Sequence, residues 1–185
     1  MKVLSSIAGL MASQYAIDIQ QAEEFLGGII YGLIQKDDLK AIETCLKDAD
    51  TVEKEVNEAV TDFMKGDLND ILAGITVLGQ LIQELPQDLG DCQAIQGDID
   101  RIEKWASIFS DPKQLMTTVV ENLIKHYGAI FKDIDQTSAD IGKADFYTAG
   151  ADVADILVLT LGAVPEAQTP DDLQITQWWS ACWLF

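Results

Sequence analysis

The stretch from Asp111 to Ile134 constrains the fold more than any other part of the chain. Leu115, Val119, Leu123, Tyr127, Ile130 and Ile134 recur at three- and four-residue spacing, which lays one apolar face along a helix for roughly six turns. Asp111 stands where a carboxylate caps free N–H groups, and Pro112, at the first helical position, gives up a donor that would lack a partner there anyway. Such a stripe has to be covered. The flanking segments carry the stripes to cover it.

Residues 22–34 read as a helix despite Gly27, Gly28 and Gly32, each of which costs about 1 kcal/mol relative to alanine. Gly28 and Gly32 lie one turn apart and would let a second helix come close, which makes them the candidate helix-packing or interaction residues. A phosphate-cradling loop is excluded there: no strand precedes it, no GK[ST] follows, and the surroundings are apolar and acidic. From Leu39 the set Ile42, Leu46, Ala49, Val52, Val56, Val60 and Phe63 continues to Met64, as one helix or as two if Thr51 caps a second. Asp67 opens the next helix, with Leu68, Ile71, Leu72, Ile75, Leu78 and Ile82 on a broad face and Pro86 as its stop. Cys92, Ile95, Ile99, Ile102, Trp105 and Ile108 make a further stripe. The organising helix runs on to a cap at Gly142, and a last one takes Phe146 through Leu161 before Pro165. The expected architecture is all-α: a single-domain bundle of five or six amphipathic helices.

Composition sets the outer bounds. A chain of 185 residues suits one domain with a real core, and 48% hydrophobic content separates it from disordered tails. Its 31 Asp and Glu against 12 Lys and Arg give a net charge of −19, which disfavours nucleic-acid backbones and anionic membrane surfaces as partners. Charged partners should be cationic.

The first 16 residues have one lysine, then a short apolar run, then small residues, the layout of a secretory signal peptide with cleavage expected after Ala16. The run is too short to span a bilayer, and the competing reading is an N-terminal helix kept in the bundle. Residues 17–164 then form the bundle domain. Residues 165–185 form a linker and a tail in which Trp178, Trp179 and Trp183 are crowded, either an anchor for a partner or an extension foreign to the fold. Cys45 and Cys92 would close a disulfide loop of about 47 residues in an exported chain, and would be buried thiols in a cytosolic one. Cys182 is left over.

Catalytic and metal chemistry find little to work with. His126 is the single histidine, no GxSxG is present, and a helical di-metal site needs two Glu-x-x-His units. Asp48-Ala49-Asp50 and Asp133-Ile134-Asp135 begin like calcium loops. They lack the sixth-position glycine, where Glu53 and Ser138 stand, and the twelfth-position glutamate, replaced by Ala59 and Ala144. No catalytic residue, cofactor or metal ligand is assigned.

Phe25-Leu26-Gly27-Gly28-Ile29-Ile30-Tyr31-Gly32-Leu33, the pair Cys45 and Cys92, Asn122-Leu123-Ile124-Lys125-His126 with Ile130, and Asp145-Phe146-Tyr147 followed by Gly150 resemble a known family. It is the set of small secreted helical proteins of ciliated protozoa, often labelled transmembrane on account of their signal peptide. The resemblance spans about residues 1 to 162, and it departs at Ala154, where relatives often carry a glycine one turn after Gly150. It implies secretion and a Cys45–Cys92 bridge, and no activity. The expectation is a secreted, non-enzymatic protein for protein interaction, self-association or surface assembly. The alternative is a bundle that binds a lipid or other apolar small molecule.

Overall fold

A computed structural model describes residues 17–65 and 67–166. Among them stand seven α-helices and no strand: α1 (Ile19–Ile34), α2 (Leu39–Cys45), α3 (Ala49–Lys65), α4 (Leu68–Asp88), α5 (Gln96–Ala106), α6 (Pro112–Ile141) and α7 (Phe146–Leu161), with a 3-10 turn at Ser107–Ser110. The count is seven rather than five or six, because residues 39–65 form two helices. Leu46 turns the backbone extended (ψ 123°), and the Asp48 carboxylate accepts the Thr51 N–H at 3.1 Å. Asp48 therefore opens α3, and Thr51 lies inside it.

Aspartate side chains start most of the other helices, since each can accept N–H groups that the first turn leaves free. Asp18 caps α1 and forms a reciprocal pair with Gln21. Asp67 caps α4, Asp111 caps α6 with Pro112 behind it, and Asp145 caps α7. One helix end differs from expectation. Pro86 does not stop α4, which runs on to Asp88; in the last turn a missing N–H removes only one rung, and Leu89 still closes on the Leu85 carbonyl at 2.8 Å. Gly142 caps α6 as expected while keeping helical geometry, and the left-handed residue that follows is Ala144 (φ 59°).

The helices pack in the spatial order α6, α7, α1, α3, α4, α5. Apolarity decides who sits inside. Phe25, Leu26, Ile29, Ile30 and Leu33 of α1 and Val153, Ile156 and Leu157 of α7 are buried on broad faces, as expected of helices covered from two sides. The strongly two-faced α3 and α5 lie towards the outside. Ile17, ahead of α1, is buried and tied by both backbone groups to the Asn57 side chain of α3, each bond 2.8 Å. The expected signal segment 1–16, Gly66 and the Trp-rich end from 167 onward lie outside the described residues.

Candidate interaction surface

The glycines of α1 face α7. A methyl group on Gly28 would fall on the Tyr147 carbonyl oxygen and 2.9 Å from the Ala151 nitrogen, and one on Gly150 would fall on the Phe25 carbonyl. The two backbones touch, which only glycine permits. Gly32 lies opposite Ala151 and the Ala154 methyl. The departure at Ala154 is thus matched by empty space across the interface. This face packs against α7 within the fold. The Tyr31 and Tyr147 rings close its edge at 5.8 Å, and burial together with Asp37 pushes the Tyr147 hydroxyl up to about 12.

Cys45, at the end of α2, and Cys92, after α4, stand at disulfide-bonding distance with Cα atoms 5.7 Å apart. His126 is exposed on α6 at a break in the helix (φ −112°, ψ 17°). Among the described residues no three His, Cys, Asp or Glu side chains are grouped to hold a metal ion, and no helix is long and apolar enough to cross a membrane.

Carboxylates nevertheless crowd one another. Between α6 and α7, burial first, then a hydrogen bond and repulsion from Asp140 and the charges of Asp133 and Asp155, raise Asp152 to about 6. Between α3 and α4, burial raises Glu55 and Asp88, and both feel Glu84. Asp38 is also raised by burial, against the pull of Lys36, which bridges it at 3.4 Å to Asp98.

The accessible apolar surface lies on α6. Val119, Leu123, Ile130 and Ile134 turn inward as the spacing predicts, but Tyr127 is 60% exposed. Leu123 to Ile130 is an inward step of seven residues, about two ordinary helical turns, and Tyr127 between them falls at the border of that face. Tyr127 belongs instead to a second stripe: Met116 (51% exposed), Val120, Ile124 (76%), Tyr127 and Phe131, again at three- and four-residue steps. The Tyr127 and Phe131 rings stack at 4.3 Å between centroids. Next to Met116 a groove of about 350 Å³ opens between α4 and α6, walled by Leu72, Ile75, Phe109, Leu115 and Val119 with Gln80 and Gln83 at its polar side. The spacing of this second stripe is present in the sequence. It is hidden there because Tyr127 lies at the border of the two stripes, and spacing alone fits it to either.

Charge along this part of α6 is closer to balance than in the rest of the chain. Residues 111–135 carry Lys113, Lys125 and Lys132 against Asp111, Glu121, Asp133 and Asp135, a net charge of about −1 in a chain of −19. Among the described residues none of the three lysines reaches a carboxylate at ion-pair distance.

Fold and surface together define, among the described residues, an acidic all-helical bundle with an apolar core and an exposed apolar stripe on α6. The chain belongs to the SctB-like family, described as secreted protein B-like, whose model matches residues 6–161. That description carries secretion and says nothing of ciliated protozoa. No curated protein and no solved structure matches the chain.

Proposed function

We propose that the protein is exported and acts without catalysis, in protein interaction or in assembly of an extracellular or surface layer. The observation that supports it is the outer face of α6, where Met116, Ile124 and Tyr127 stay in water on a helix whose other side is fully packed. Contiguous exposed apolar surface marks interaction sites in soluble proteins. The glycine face of α1, the first candidate for this role, is taken by α7. A place at the cell surface or in a secretory compartment, and a source among ciliated protozoa, belong to the same reading and rest on the resemblance. Sedimentation of the full chain over a wide concentration range tests it. Association that weakens in Ile124→Glu is expected, and a chain that stays monomeric throughout counts against assembly.

The groove between α4 and α6 favours a second reading, binding of a lipid or other apolar small molecule. The site is then at the surface rather than inside the bundle. Native mass spectrometry of the purified chain should show a bound apolar ligand, and a bare mass argues against it.

A further inference from the structure

We propose that the outer face of α6 pairs with the same face of a second copy of the chain, the two helices running antiparallel about a two-fold axis at Ile124. The proposal rests on reading that face as an interaction surface and names its partner and its geometry.

The stripe is complementary to itself when reversed. In an antiparallel pair centred on Ile124, a residue some steps before the centre meets the residue as many steps after it in the copy, and the reverse contact follows by symmetry. Four residues out, the branched Val120 meets Gly128, where no atom lies within 4 Å of an added Cβ. Seven residues out, the exposed and smaller Thr117 meets Phe131. Eleven residues out, Lys113 meets Asp135. Both are exposed, and among the described residues neither forms an ion pair within the chain. At the centre the two copies of Ile124, 76% exposed in the single chain, cover each other.

The borders of the stripe agree with this register. Tyr127 follows Met116 by eleven residues, about three turns, so both edge the stripe on the side of the groove that Met116 helps to line. Two-fold symmetry brings like borders together, and Met116 then meets Tyr127 of the second copy, a sulfur beside an aromatic ring. On the opposite border Glu121 and Lys125 are exposed one turn apart, and each Glu121 meets Lys125 of the second copy.

Charge permits the approach. Two chains of −19 repel each other, but residues 111–135 hold only about −1 of that charge. From Lys113 to Asp135 the contact runs along about 33 Å of helix. A single helix pair of that length lies at the small end of specific interfaces, so the dimer is a reversible one.

Sedimentation equilibrium of the full chain and of two charge reversals tests this. Lys113→Asp sets like charges against Asp135 twice in each dimer and should raise the dissociation constant about tenfold or more, with the far-ultraviolet circular dichroism unchanged. Asp135→Lys should do the same, even though it lowers the net charge that drives the copies apart. An equimolar mixture of the two variants should associate as the wild type does, because each reversed charge then meets its opposite in the other chain and the two unaltered residues meet as before. Glu121→Lys mixed with Lys125→Glu is a second such pair and should behave alike. Wild-type association that neither reversal alters, or a mixture that associates no better than its components, overturns the antiparallel pairing and leaves the interaction reading standing. A wild type that stays monomeric at every concentration removes the pairing and the self-assembly reading together.

Discussion

A single hydrogen atom at Gly28 decides how close α1 and α7 come, because the neighbour across from it is backbone and cannot swing away. Gly28→Ala should destabilise the fold by about 3 kcal/mol, at the upper end of overpacking costs, as read from urea denaturation. Gly128, in the middle of α6, has no atom within 4 Å of where a Cβ would stand. There the same change should stabilise by about 0.5–1 kcal/mol, since alanine is the better helix former. Two glycines in two helices thus carry opposite predictions, and equal effects would refute the packing described for α1. Asp152 is a third decisive residue. Its folded carboxyl ionises only near about 6, so at neutral pH the fold holds a charge that burial and Asp140 oppose. Asp152→Asn should raise the thermal midpoint at pH 7.5 and lose most of that advantage at pH 4, where the wild-type carboxyl is protonated as well.

Two features set the elements against one another, a cysteine pair and a helix defect. Cys45 and Cys92 stand at disulfide-bonding distance between the end of α2 and the link between α4 and α5, with a sequence separation of 47. A bridge there should be visible as a mass gain of about 2 Da on reduction, and its loss should lower stability by about 3–4 kcal/mol in the chain-entropy picture. Unfolding curves that coincide with and without reductant would show that no bridge forms. In α6 His126 departs from helical geometry, while Val119, Leu123, Ile130 and Ile134 on either side of it stay on one inward face. Tyr127 lies outward beside Ile124. Asn122, one turn before the defect, donates to the Thr160 carbonyl of α7 at 2.9 Å and so fixes the helix on the side that packs.

For the whole molecule the governing quantity is negative charge. Glu23, Asp38, Glu55, Asp88, Asp133 and Asp152 are all raised above their ordinary values, each chiefly by burial. A raised carboxyl binds its proton more tightly in the folded chain than in the unfolded one, so its contribution is present at low pH and is lost as pH rises through the folded value. Stability should therefore increase as pH falls through about 6, where Asp152 takes up its proton, towards the ordinary carboxyl range near about 4, and urea midpoints that fall over that range would contradict it. Added salt should stabilise at pH 8 by screening the −19 net charge. At the alkaline end Tyr147, held up to about 12, adds a further loss as pH rises from about 10 towards that value.

Helical periodicity, aspartate caps and the scarcity of histidine are local properties, and the sequence by itself determined them: an all-helical chain, its approximate segments, and the family to which it belongs. Burial of one face per helix follows from spacing alone, which is why Val119, Leu123, Ile130 and Ile134 could be placed inward. Which face meets which neighbour depends on contacts between residues far apart in the chain, and only the tertiary structure decided that. It spent Gly28 and Gly32 on α7, divided residues 39–65 at Leu46, carried α4 past Pro86, and left Tyr127, at the border of the inward face of α6, in water. An amphipathic pattern states that a surface must be covered. The partner that covers it is selected by shape and charge across the whole fold.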